Sequence, residues 1–168
     1  MTIRGFPPIA DRSAQLLILG SMPGIASLQA HQYYAHPRNA FWPIIEELWG
    51  IPRTLDYAAR TVALRAAGVA VWDVLAQCRR RTSLDSEIES QSIVVNDFAG
   101  FFRRHPQVRL IGFNGGTAHT LYRRHVLPLL PEKLRDIPGV QLPSTSPAHA
   151  GRTLPQKLKL WRQLQAYS

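Results

Sequence analysis

The run Leu16-Leu17-Ile18-Leu19, closed at once by Gly20-Ser21-Met22-Pro23-Gly24, constrains this chain more than any other stretch. Four consecutive apolar residues leave no polar side for solvent, so the run reads as a strand buried on both faces of a sheet. Gly and Pro directly after it force a turn. In open α/β folds such a turn sets backbone amides and short side chains at the carboxyl edge of a parallel sheet, where ligands bind.

The rest of the chain supplies what a parallel sheet needs. From Phe41 the apolar residues Ile44, Ile45, Leu48 and Trp49 share one helical face, which Gly50 and Pro52 close. Asp56 to Ala67 favours helix and meets Gly68 at the expected cap. Val69 to Leu75 then reads as a second buried strand. Gln77 to Ser92 is polar, contains Arg79-Arg80-Arg81, lacks hydrophobic periodicity and reads as a mobile excursion. Asn96 is placed to cap a helix bearing Phe98, Phe101 and Phe102, which Arg103-Arg104-His105-Pro106 ends with favourable charge. Val108 to Phe113 is a third strand, and Thr117 of the loop Asn114-Gly115-Gly116-Thr117 can cap the next helix. A fourth strand, around Val140 to Leu142, runs into Pro143-Ser144-Thr145-Ser146-Pro147-Ala148-His149. Leu154, Leu158, Trp161 and Leu164 predict a closing helix.

Four short strands separated by helices predict a three-layer α/β fold: a four-stranded parallel sheet with helices on both faces and its loops gathered at one edge. At 168 residues, 45% of them apolar, the chain suits one domain spanning 1–168. Trp42, Trp49, Trp72 and Trp161 fall on the faces expected to pack.

Lys and Arg number 20 against 11 Asp and Glu, a net charge of +9 with a pI near 10.6. That imbalance points towards nucleic acid, with a merely basic surface as the alternative. Cys78 is the only cysteine, which excludes a disulfide framework and a cysteine-held metal, and the six histidines show no ligand spacing. Neither Gly-rich loop has Walker or dinucleotide spacing. No apolar stretch approaches the roughly 20 residues that span a bilayer, and the N-terminus lacks a signal-peptide core, so a cytoplasmic protein is expected.

Read together, Gly20-Ser21-Met22-Pro23-Gly24, Tyr34-Ala35-His36-Pro37-Arg38-Asn39-Ala40-Phe41-Trp42 and Leu142-Pro143-Ser144-Thr145-Ser146-Pro147-Ala148-His149 resemble the motifs of the uracil-DNA glycosylase superfamily. The strings are most similar to those of its hypoxanthine-DNA (deoxyinosine) glycosylase branch. The resemblance implies an enzyme that extrudes a deaminated base, hypoxanthine for preference, and hydrolyses its N-glycosidic bond without metal or cofactor. It implies a monomer acting on double-stranded and also single-stranded DNA. Met22 and Leu142 stand where uracil-specific relatives carry Asp or Asn and His or Asn, and neither can position water.

The resemblance therefore moves the catalytic role to Asn39, whose amide oxygen can orient water, although the same residue is placed to cap the following helix. It implies a base pocket of Gly20, Ser21, Met22, Tyr34, Asp73 and Asn114. Tyr34 would stack on the extruded base, with Tyr33 as its rival, and Asp73 would accept the N1–H of hypoxanthine unless it only caps a loop. Gly116, Thr117, Ser144, Thr145, Ser146, Pro147, His149 and Arg152 would meet the DNA strand. Rival readings are a uracil- or mismatch-specific glycosylase, a non-catalytic nucleic-acid-binding module and, more remotely, a small-molecule hydrolase of flavodoxin-like fold.

Overall fold

The computed structural model describes residues 2–167. A short first strand, β1 (Thr2–Arg4), precedes the apolar run, which forms β2 (Leu16–Gly20) with every residue buried. Helices α1 (Ile25–Ala30), α2 (Phe41–Trp49) and α3 (Tyr57–Ala66) follow, then β3 (Val69–Asp73) and β4 (Leu75–Arg79). The next elements are β5 (Val94–Val95), α4 (Phe98–Arg104), β6 (Leu110–Asn114) and α5 (Gly116–Leu121). The chain closes with α6 (Glu132–Arg135), β7 (Gly139–Leu142) and α7 (Leu154–Trp161).

The expected four-stranded sheet forms in the order β3-β2-β6-β7, all parallel. Its two central strands, β2 and β6, are continuous apolar runs buried at every residue, and so is the edge strand β3, whose outer side is covered by a bridge from Ile9 to Val71. Each fully buried Leu or Ile there contributes about 1.5–3 kcal/mol of apolar burial. Leu19 pairs with Trp72 on one side and Phe113 on the other. On that face Trp72 packs 5.0 Å from the rings of both Phe98 and Phe101 of α4, and Phe113 lies 5.2 Å from Tyr122. On the opposite face Gly112 admits Leu164, for a Cβ at 112 would sit 3.0 Å from Leu164 Cδ2. There α2 meets α7 through Phe41 and Trp161, 6.3 Å apart.

Several expectations are corrected. The strand expected over 69–75 breaks at Val74, and from Leu75 the chain enters a second, antiparallel sheet, β1-β4-β5. Segment 77–92 is tied down rather than loose: it carries the end of β4, two 3₁₀ turns and hydrogen bonds to the loop after β2. Asp97, not Asn96, caps α4 by accepting from Gly100 N–H at 3.0 Å. Asn96 instead donates through Nδ2 to the Asp73 carbonyl at 2.8 Å. Thr117 caps nothing, because α5 already starts at Gly116 and Gly115 (φ +99°) makes the turn. Leu154 is exposed, while Leu164 lies beyond α7 on a 3₁₀ turn and is fully buried. Three of the four tryptophans are buried as expected, and Trp49 is half-buried against the core.

Candidate active site

Parallel pairing brings the carboxyl ends of β2, β3 and β6 to one edge as Gly20, Asp73 and Asn114, and the chain leaving β7 arrives beside them. A cavity of about 290 Å³ opens there. All of the expected base-pocket residues, Gly20, Ser21, Met22, Tyr34, Asp73 and Asn114, line it, and so does Asn39.

Asp73 forms the floor. It is 4% exposed and its Oδ2 has no hydrogen-bond partner. Burial, with the charge of Asp85 beside it, pushes its carboxyl up to about 7, against the opposite pull of Arg80. Gly20 is required opposite it: a Cβ there would lie 2.6 Å from Asp73 Oδ1 and 2.9 Å from Tyr34 Oη. The Tyr34 hydroxyl is likewise buried and unpartnered. Burial and the Asp73 charge hold that phenol above its usual range, with Asn114 pulling the other way.

Two adjacent tyrosines divide the roles left open by the sequence. Tyr33 is buried, and its hydroxyl donates to the Pro7 carbonyl at 2.9 Å while its own carbonyl accepts the Trp42 indole N–H at 3.0 Å. It is a packing residue. Tyr34 adopts a left-handed backbone (φ +56°), a conformation that a non-glycine residue keeps only when its surroundings impose it. Hydrogen bonds on either side of it impose that conformation: Tyr57 Oη accepts from Tyr33 N–H at 3.0 Å, and Ser27 Oγ from Ala35 N–H at 3.1 Å. The result turns the Tyr34 ring onto Phe41, centroids 4.1 Å apart and 20° from parallel, while the rest of its half-buried ring lines the cavity.

Asn39 sits at the cavity wall, and its Oδ1 accepts from Phe41 N–H at 2.9 Å, bonding the first turn of α2. The N-cap of α2 is Ala40, so the cap expected of Asn39 is corrected: Asn39 lies one residue earlier and closes the turn into the helix from the cavity wall.

Asn114 does not present a free amide to the cavity. Its Nδ2 donates to Thr145 Oγ1 and its Oδ1 accepts from Thr145 N–H, both at 2.9 Å. Thr145, 1% exposed, also accepts from Ala40 N–H through its carbonyl at 2.9 Å. The pair is a clamp joining the loop after β6, the loop after β7 and the Asn39 segment, so Thr145 is corrected from a strand contact to a brace. The root of the 143–149 loop is pinned by Trp161 Nε1, which donates to the Pro143 carbonyl at 3.0 Å. Ser144, Ser146, Pro147 and His149 line the cavity beyond that brace. Gly116 and Arg152 lie instead on a second cavity of about 460 Å³ that shares Ser144 and His149 with the first. Thr117 lines neither cavity.

The sequence reading missed one wall. Ser83, Leu84 and Asp85 line the cavity opposite the 143–149 loop. Ser21 Oγ donates to Asp85 Oδ1 at 2.7 Å, Ser83 Oγ accepts from Ile25 N–H at 2.8 Å, and the buried Arg80 donates to the Pro23 carbonyl. No local pattern marks these residues, since each contact spans more than fifty positions. Lys157, on the second cavity, was also missed, although its place three after Leu154 and four before Trp161 sets it on the inward face of α7. Among the described residues no group of three His, Cys, Asp or Glu side chains is arranged to hold a metal.

The chain is similar to known proteins in sequence and in fold. The sequence profile of the Uracil DNA glycosylase superfamily matches residues 7–165. A relative from Methanosarcina barkeri, named hypoxanthine DNA glycosylase, is 36% identical over 116 residues, covering 68% of this chain and 72% of its own length. A Methanosarcina acetivorans protein of the same name is 37% identical over 119 residues, covering 70% and 74%. A solution NMR structure from Methanosarcina acetivorans, provisionally described as a uracil DNA glycosylase, superposes with a TM-score of 0.77 at 32% identity over 98% of this chain and 99% of that one.

Proposed function

The chain belongs to the uracil DNA glycosylase superfamily, and on that premise we propose that it is a monofunctional DNA N-glycosylase of base-excision repair, with hypoxanthine in deoxyinosine as its preferred substrate. The observation that carries the reading is Asp73, a buried carboxyl at the cavity floor with an unpartnered oxygen. Hypoxanthine has an N1–H, whereas adenine has a bare ring nitrogen there. A carboxylate accepts from the first and meets only a lone pair on the second, a difference that discriminates by as much as about 10⁴–10⁵ when the site is dry.

In this reading the extruded base stacks on the remaining face of Tyr34, contributing about 1–3 kcal/mol, above the floor of Gly20 and Met22. The C1′–N9 bond breaks and its electron pair leaves with the purine, which takes up a proton. The deoxyribose becomes oxocarbenium-like. Asn39 keeps a second lone pair on Oδ1, beyond the one engaged by Phe41 N–H, and orients a water towards C1′. Water oxygen bonds to C1′, its proton passes to solvent, and an abasic site remains. Because an amide is no base, most of the acceleration comes from contacts to the departing purine. Lysine is absent from the described lining, so no amine there attacks the sugar to cleave the strand.

Ser144, Ser146, Pro147, His149 and Arg152 hold the strand around the extruded nucleotide, in duplex and in single-stranded DNA. In this reading the chain acts as a monomer. No described helix is long and apolar enough to cross a membrane, and the location proposed for the enzyme is the cytoplasm.

The test is a nicking assay on duplexes carrying one inosine, uracil or xanthine opposite each normal base, with wild type and Asn39→Ala. Alkali-labile sites at inosine that Asn39→Ala nearly abolishes are expected. Uracil release that survives Asn39→Ala would overturn the site assignment, and salt-dependent binding without abasic sites on any duplex would favour the non-catalytic module.

A further inference from the structure

The second cavity is lined by His149, Arg152 and Lys157 and by no carboxylate. Lys157 is the unusual member. Of the three lysines, Lys133 and Lys159 are exposed, whereas Lys157 is 6% exposed. Among the described residues its ammonium has neither a hydrogen-bond acceptor nor an ion-pair partner; the three ion pairs present are all between Arg and Glu elsewhere on the surface. The stem of Lys157 is buried while its ammonium keeps access to solvent at the cavity, where an anion can pair with it. Burial also pulls the amine below its usual range, as expected before an anion arrives. The cavity shares the walls Ser144 and His149 with the base cavity, so whatever fills it lies one step along the same ligand.

From these observations we infer that the second cavity is a phosphodiester subsite, in which Lys157 and Arg152 hold a backbone phosphate next to the extruded nucleotide. The inference rests on the reading of the chain as a DNA glycosylase. It adds a cation on α7, held by a buried stem, to the loop residues already proposed to meet the strand. The buried stem distinguishes this contact from that of a surface lysine: the ammonium is confined to the cavity, so it meets only a phosphate that enters there and fixes the strand's register.

The experiment is a neutral-linkage walk read by equilibrium binding, with a non-cleavable abasic-site duplex and undamaged duplex as probes and excision measured separately. Single methylphosphonate linkages are placed in turn on either side of the lesion. In the wild type one linkage is expected to weaken binding about tenfold. In Lys157→Met, which keeps the stem and removes the charge, the same linkage is expected to have no further effect, and the slope of log K against log[salt] is expected to fall by about 0.9. Lys159→Met, on the same helix, retains the linkage effect. The inference is overturned by an unchanged linkage profile in Lys157→Met, or by a wild-type walk with no sensitive linkage, which requires no variant to fold. Lys157-dependent binding of inorganic phosphate without any linkage effect on DNA overturns it too, as does borohydride trapping of Lys157 on abasic DNA. If linkage coupling appears but no base is released, the subsite stands and the proposed activity falls.

Discussion

The side-chain oxygen of Asn39 already accepts one hydrogen bond, from Phe41 N–H, and that fact separates its two roles experimentally. Asn39→Ala loses that hydrogen bond, about 1 kcal/mol of stability, and single-turnover excision of hypoxanthine is expected to fall on the order of 10²-fold. Asn39→Asp keeps an acceptor for both partners, so it should retain the wild-type melting temperature and more excision than Asn39→Ala. Equal losses in both variants would refute water orientation by that oxygen. Asp73 adds a pH signature. As an acceptor it must be ionised, so excision is expected to rise as pH passes through about 7 and level above it, and Asp73→Asn should lose that rise while releasing more adenine relative to hypoxanthine. Its effect on stability has the opposite direction. A carboxyl held above its unfolded value favours the fold at low pH, and that contribution disappears as pH climbs from about 4 through about 7, up to about 4 kcal/mol in all. Urea unfolding of wild type and Asp73→Asn across this window measures the difference.

At the scale of elements, the stretch from β4 to β5 is the least expected contributor. It leaves the parallel sheet at Val74, pairs with β1 and returns Ser83 to Asp85 onto the loop after β2. Asp85 thereby acts on the cavity floor, where its charge is the second cause, after burial, of the raised Asp73 carboxyl. Asp85→Asn keeps an acceptor for Ser21 Oγ and removes the charge, so the midpoint of the pH–excision profile should move below 7 with little change in melting temperature. Ser21→Ala removes the 2.7 Å bond instead, and should cost about 1 kcal/mol of stability and raise KM. A pH midpoint unmoved by Asp85→Asn would detach this segment from the chemistry. The opposite wall is built differently: Thr145 braces it to Asn114 and Ala40, and Trp161 ties it to α7.

For the whole molecule, the net charge of +9 adds to these local contacts a long-range pull on the phosphate backbone. Affinity for undamaged duplex is expected to drop roughly 10²-fold or more between about 50 and 200 mM salt, with a linear log–log slope. Discrimination between inosine and normal bases should change far less, because Asp73 and Tyr34 act inside a cavity that salt screens poorly. Filter binding and competitive excision over the same salt series separate the two.

The sequence alone determined the parallel sheet and the edge that carries the site. Leu16 to Leu19 and Leu110 to Phe113 leave no polar side for solvent and so need a sheet covered on both faces, and the turns that end them follow from Gly20, Pro23 and Gly115. Helix caps were less legible: Asp97 and Asn96 are adjacent polar residues, and the choice between them turned on which could reach the Asp73 carbonyl. Three things were decided only in the tertiary structure. Asp85 reaches Ser21 across 64 positions, Asn114 finds a partner in Thr145, and the stem of Lys157 is buried beside a cavity with no carboxylate. Each depends on burial and charge summed over neighbours remote in the chain, whereas a local pattern records only which face of an element turns inward.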